Sequence, residues 1–144
     1  MKKFFILSAI AIIAVFAVSC GRNSGNDENA KFKTIGMEQG LAIYNQLLSD
    51  ENLQENEKPV LLDVRHDDEY VAGHIPGAKL LTMETITQEN SAEMIQSKTQ
   101  PVFVYCRSGV RSKMAAEKLS SFGYENISNI GGIMSYSGEL EMKK

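Results

Sequence analysis

The segment of this chain whose residue types and spacing could do chemistry is Cys106-Arg107-Ser108-Gly109-Val110-Arg111-Ser112. It follows a continuous apolar run, Pro101-Val102-Phe103-Val104-Tyr105, and leads into a stretch with helical spacing. A short loop between a buried strand and a helix N-terminus brings the backbone N–H groups of Arg107 to Ser112 towards one point. Such a nest, aimed by the helix dipole, takes anions. Gly109 permits the tight curvature and the close approach to a bound group. The Cys106 thiol stands at the focus. A free thiol ionises at about pH 8.5, and a helix N-terminus with nearby cations lowers that value; Arg107 and Arg111 supply two cations. The segment therefore reads as a thiolate nucleophile inside an anion cradle, with guanidinium forks available to oxyanions. A cysteine packed only as a small hydrophobe would not need those arginines.

The elements that must position this loop follow from periodicity. Pro101–Tyr105 reads as a central parallel strand covered on both faces. Val110 to Phe122 reads as a helix with Val110, Met114, Ala115, Leu119 and Phe122 on one stripe, capped by Gly123. Upstream, Lys31–Ile35 alternates like a short edge strand, and Met37–Ser49 carries Leu41, Tyr44, Leu47 and Leu48 at helical spacing, weakened by Gly40. Val60–Val64 reads as a buried strand, Asp67–Val71 as one helical turn with acids at its start, and Gly73–Gly77 as a turn. Ala78–Leu81 reads as a short strand, Thr82–Ser97 as a helix, and Asn126–Ile130 as a last strand before Gly131-Gly132 turns the chain into its tail. Strands alternating with helices predict an α/β domain, with a mainly parallel central sheet of about five strands and helices on both faces. Ligands of such sheets bind beyond the carboxyl ends of the strands, which is where Cys106 sits.

The first residues have a different character. Lys2 and Lys3 precede an almost wholly apolar run, Phe4–Val18, and then Ser19, Cys20 and a polar stretch. This is the three-part layout of a secretory signal peptide, with an apolar run shorter than the roughly twenty residues a membrane span needs. Ala17-Val18-Ser19-Cys20 resembles the lipobox of bacterial lipoproteins. The resemblance implies a signal peptide at 1–19, a lipidated Cys20 followed by a flexible tether over 20–30, and a folded domain over 31–144. It also implies a lipid-anchored protein of the bacterial cell envelope facing the periplasm. Gly21 is not an Asp-type retention signal, which favours the outer membrane. Removal of Lys2 and Lys3 would take the net charge from −3 to −5 and leave Cys106 as the free thiol, a liability in an oxidising compartment unless it is used. The 144 residues allow one domain, and without a basic stripe nucleic acid is not expected as a partner.

Two further runs accompany the cysteine loop: Leu62-Asp63-Val64-Arg65, and then Glu69-Tyr70 with Gly73-His74-Ile75-Pro76-Gly77-Ala78. Together with Cys106-Arg107-x-Gly109-x-Arg111-Ser112, and with Phe122-Gly123-Tyr124 and Gly131-Gly132 downstream, they resemble the motifs of single-domain rhodaneses over roughly Thr34 to Gly138. The resemblance implies a rhodanese-like domain that moves a sulfane sulfur through a Cys106 persulfide in two half-reactions, without a metal or organic cofactor. The donor would be a small sulfur-containing anion, the acceptor a thiol or cyanide, and a sulfur-relay protein is a candidate partner. Cys106 would be catalytic, and Arg107, Ser108, Gly109, Val110, Arg111 and Ser112 would bind substrate. Asp63 and Arg65 would either brace the loop or form a plain strand-end ion pair. Glu69 would lie on the helix surface or brace the loop, and His74 would hold the turn before Pro76. The family often places a Trp after the Gly-Gly pair, and Tyr136 is expected in its stead. A cysteine-dependent phosphatase or arsenate reductase uses a similar cradle, but such enzymes place five residues between Cys and Arg, where this chain has four, Arg107 to Val110. A non-enzymatic sulfur-binding or redox-sensing lipoprotein is the remaining alternative, since low-pKa thiols oxidise readily.

Overall fold

A computed structural model describes residues 31–143. The stretches expected to be a signal peptide, a lipidated Cys20 and a tether therefore lie outside the described residues. Five strands form one parallel sheet: β1 (Lys33–Thr34), β2 (Val60–Asp63), β3 (Lys79–Leu80), β4 (Val102–Cys106) and β5 (Ile127–Gly132), in the order β1-β5-β4-β2-β3. The helices are α1 (Met37–Leu48), α2 (Asp67–Ala72), α3 (Gln88–Met94) and α4 (Val110–Ser121).

β4 is the middle strand, and its side chains alternate between two cores as the period of two requires. Val102, Val104 and Cys106 join Ala115, Ala116 and Leu119 of α4 and Ile95 after α3. Phe103 and Tyr105 join Met37, Leu41 and Tyr44 of α1, with Tyr70 of α2 packed alongside. Helices thus cover both faces, and Cys106 points to the α4 side. Of the face that the spacing of α1 predicts, Leu41 and Tyr44 are buried and Leu47 partly so, while Leu48, at the end of the helix, is exposed. Gly40 lies where that helix meets β5: a Cβ there would stand 2.3 Å from Ile130 Cγ2, so the residue that weakens the helix is the one that lets it dock.

Three expectations need correction. Thr82–Ser97 is not one helix. Met83–Thr85 forms a 3-10 turn, Ile86 and Thr87 are non-helical, and α3 starts afresh. The break comes from Thr87, whose hydroxyl accepts the Asn90 N–H at 3.3 Å while Asn90 Oδ1 accepts the Thr87 N–H at 2.9 Å, a reciprocal cap that begins a new helix. The buried stripe of α4 is also rotated: Ser112, Ala115, Ala116, Leu119 and Ser120 face the sheet, while Val110 and Met114 are exposed. Ala115 and Leu119 of the expected stripe are buried, and the small Ser112, Ala116 and Ser120, which counting apolar residues overlooks, complete the face towards β4 and β5. Finally, Gly131 and Gly132 do not leave the sheet. They continue β5 opposite Tyr105 and Cys106 after a register shift that makes Ile130 the extra residue.

Candidate active site around Cys106

Cys106 ends β4, and α4 begins four residues later. The turn between them is made by Gly109, whose φ of 103° is a left-handed value that favours glycine. The loop can be this tight because it rests on backbone. A Cβ on Gly132 would stand 2.3 Å from the Arg107 carbonyl oxygen and 2.7 Å from Ser108 Cα. The Met134 N–H donates to that same Arg107 carbonyl at 3.3 Å. The end of β5 is thus the floor on which the loop lies.

The loop closes over the sulfur. Cys106 is 1% exposed, while Arg107, Ser108 and Val110, which follow it in the loop, are exposed. The Gly109 N–H donates to Sγ at 3.1 Å. Burial would push the thiol pKa up. The Ser112 hydroxyl and the amides of Ser112, Gly109 and Ser108 stabilise the anion and outweigh burial, so the net shift is downward. The groups that favour the sulfur anion are thus the amides and one hydroxyl before the two arginines.

Arg111 is engaged elsewhere. Its guanidinium forks onto Glu69 of α2, with Nη1 donating to Oε2 at 2.7 Å and Nη2 to Oε1 at 3.0 Å. The Arg111 guanidinium and the His66 N–H hold the Glu69 carboxyl well below its ordinary range, at about 2. Arg111 still feels the thiolate, whose charge favours its protonated form. Arg107 projects from the exposed loop. Of the six expected substrate-contact residues, Arg107, Ser108 and Val110 are exposed, Gly109 and Arg111 half-buried, and Ser112 buried.

Asp63 and Arg65 form a buried ion pair at the end of β2. Arg65 Nη2 meets Asp63 Oδ2 at 2.6 Å, and Nε donates to both carboxylate oxygens. The other bond of Nη2 goes to the Gly73 carbonyl at 2.8 Å, which ties the end of β2 to the far end of the α2 segment that carries Glu69. The Arg65 guanidinium also lies 5.8 Å from the centre of the Tyr105 ring, and the Tyr105 hydroxyl accepts the Ile75 N–H at 3.1 Å. His74 holds the turn: its Nδ1 bonds the Tyr70 carbonyl at 2.9 Å, its ring stacks on Tyr70, and its backbone pairs with Glu141. Tyr136 packs against the α1-side core and donates to the Glu139 carbonyl.

The rhodanese-like domain family matches residues 47–139. The chain belongs to the rhodanese-like family. It is 33% identical over 93 residues to YtwF of Bacillus subtilis, named provisionally as a sulfurtransferase, which covers 65% of this chain and 87% of that one. It is 35% identical over 72 residues to the thiosulfate sulfurtransferase PspE of Escherichia coli, covering 50% of this chain and 68% of that one. Among solved structures, a rhodanese-like domain protein from Staphylococcus aureus superposes with a TM-score of 0.60 at 32% identity, covering 78% of this chain and 99% of that one. The rhodanese-like fold and the kinship with sulfurtransferases are thereby established.

Two residues of the site escaped the sequence reading. Asn129 sits between Ser128 and Ile130 in the buried part of β5 and accepts from Ser112 at 2.8 Å; an amide inside a buried strand demands a partner, which is the signal the sequence offers. Gly132 was seen as a turn residue, though its role is to leave room for the loop.

Proposed function

We propose that this protein is a sulfurtransferase that carries a sulfane sulfur on Cys106. The thiolate attacks the outer sulfur of a thiosulfate-class or polysulfide-class anion. A bond forms from Sγ to that sulfur, the donor's S–S bond breaks, and the leaving group (sulfite, for thiosulfate) departs with the electron pair. A thiol or cyanide then attacks the terminal sulfur of the persulfide, and Cys106 leaves as a thiolate. The observation that carries the reading is the Gly109 N–H aimed at Sγ at 3.1 Å, within a loop whose donors favour the sulfur anion. The amides of Ser108, Gly109 and Ser112 suit a bound persulfide, and Arg107, exposed above the loop, suits capture of an anionic donor. Neither half-reaction calls for a metal or an organic cofactor.

Ping-pong kinetics test this. Thiosulfate without acceptor should release close to one sulfite per protein in a burst, absent in Cys106→Ser. Turnover of p-nitrophenyl phosphate without that burst would point to phosphoryl chemistry instead.

We further propose that residues 1–19 are a cleaved signal peptide and that Cys20 is lipidated, with the tether over 20–30 holding the domain at the periplasmic side of an envelope membrane, the outer one favoured. The Lys31 carbonyl accepts a hydrogen bond from Ser120 at the end of α4, and β1 runs parallel to its neighbour β5. The chain thus enters the fold at the sheet end opposite Cys106, and donors and acceptors, including any sulfur-relay protein, would approach from the aqueous side. Mass analysis of the N-terminal peptide from the native host should find acyl chains on Cys20; an unmodified Cys20 there refutes the anchor.

A further inference from the structure

Ser112 is wholly buried, and its hydroxyl has more acceptors than protons. Its Oγ lies 2.8 Å from Asn129 Oδ1, 3.0 Å from the Gly109 carbonyl and 3.3 Å from the Gly131 carbonyl. A hydroxyl donates one proton. Gly109, whose carbonyl this hydroxyl reaches, also donates its N–H to the Cys106 sulfur at 3.1 Å, so the sulfur lies beside the hydroxyl and, once ionised, is a further acceptor for its proton. The shortest contact is to Asn129, which is 4% exposed. The Asn129 oxygen has a second donor in the Gly131 N–H at 3.1 Å, folded back onto it where β5 shifts register. If the serine proton turns away, that oxygen is therefore not left bare, and the usual cost of an unsatisfied buried acceptor is avoided.

We propose that Asn129 is a positioning residue for Cys106: it holds the Ser112 proton while the sulfur is neutral and yields it when the sulfur becomes an anion. With the proton on Asn129, a Ser112 lone pair is free to accept the thiol S–H. When the sulfur carries charge, the hydroxyl rotates and donates to Sγ, while the Gly131 N–H stays on Asn129. In sulfur transfer this rotation would accompany discharge of the persulfide, as the bond from Sγ to the terminal sulfur breaks and the electron pair stays on Sγ. No proton changes its owner. The role in turnover rests on the sulfurtransferase reading; the switch itself does not.

The charged and titratable groups on the elements next to the loop are Arg107 in the loop itself, Arg111 on α4, Glu69 on α2 with His66 before it, Glu84 on the 3-10 turn, and the Asp63–Arg65 pair at the end of β2. Exchange of Asn129 for Leu leaves all of them in place. The test is the pH dependence of iodoacetamide alkylation at Cys106, followed by peptide mass in the full chain, for wild type, Asn129→Leu, Ser112→Ala and the double variant. Asn129→Leu removes the rival acceptor and should increase the thiolate fraction at a fixed pH below the midpoint by about 2- to 10-fold, the scale of one net hydrogen bond. Ser112→Ala should lower it by a similar factor, and the double variant should match Ser112→Ala. No change in Asn129→Leu, or the same change with and without Ser112, overturns the proposal. If Asn129→Leu does not fold, Asn129→Asp keeps the acceptor oxygens and should raise the midpoint, less so beside Ser112→Ala; an equal rise in both backgrounds overturns the proposal. Thiosulfate turnover of wild type, measured alongside, reports on the sulfurtransferase reading separately.

Discussion

Gly132→Ala probes the floor of the site without touching a group that does chemistry. The added Cβ would stand 2.3 Å from the Arg107 carbonyl oxygen, 2.7 Å from Ser108 Cα and 2.8 Å from the Arg107 carbonyl carbon. Ordinary contacts are roughly 3.5 Å, so the loop must rise by about 1 Å. All three obstacles are backbone, and no side chain can swing aside. Overpacking of this kind costs about 1–3 kcal/mol, or roughly 4–12 °C in Tm for a domain of this size. The displaced loop would also pull the Gly109 N–H off the sulfur. A misplacement of about 1 Å costs on the order of 100-fold in a positioned reaction. Thermal unfolding should therefore show the fall in Tm, and thiosulfate turnover the larger loss. Gly36→Ala, where nothing lies within 4 Å of the new Cβ and the backbone is extended, should change neither. A Gly132→Ala protein with wild-type Tm and wild-type turnover would refute the view that close backbone contact sets the loop.

The other predictions concern charge. Asp63→Ala strands a buried guanidinium, since Asp63 and Arg65 are both buried, and should cost about 3–5 kcal/mol in urea unfolding. In Glu69 the folded-state pKa, about 2, lies below its unfolded value, so the ion pair with Arg111 contributes fully above about pH 4.3 and is lost as pH falls towards 2. The pair is partly solvated, so Glu69→Gln should destabilise by about 1–2 kcal/mol at neutral pH, and unfolding curves across that window should show the difference vanish. Arg107→Ala should raise KM for thiosulfate by about 2- to 5-fold, more at low salt, while leaving Tm unchanged; an unaltered KM would remove Arg107 from donor capture.

The sequence disclosed the strand-loop-helix unit around Cys106 because its determinants are local: an apolar run, a glycine at the turn and a helical period. The parallel sheet was equally legible from the alternation of elements. Contacts between distant segments were not. Glu69 and Arg111 lie 42 residues apart, and nothing within either motif says that the arginine is taken by a carboxylate. On α4, Ala115 and Leu119 are buried as the spacing predicts, but Ser112, Ala116 and Ser120, small residues that hydrophobic counting passes over, complete the face in place of Val110 and Met114. The amphipathic stretch from Thr82 was read as one helix because the reciprocal Thr87–Asn90 cap was not recognised as a start signal. Asn129 and Gly132 acquire meaning only once β5 is laid beside the loop.

The central claim is that the loop amides and Ser112 favour the Cys106 thiolate and hold the sulfur it accepts. Intact-mass measurement of the protein after exposure to thiosulfate, with no acceptor present, tests it most directly. The wild type should gain one sulfur atom, lose it on adding cyanide, and gain nothing as Cys106→Ser. An unchanged wild-type mass, with the protein folded and the thiol reduced, would contradict the account.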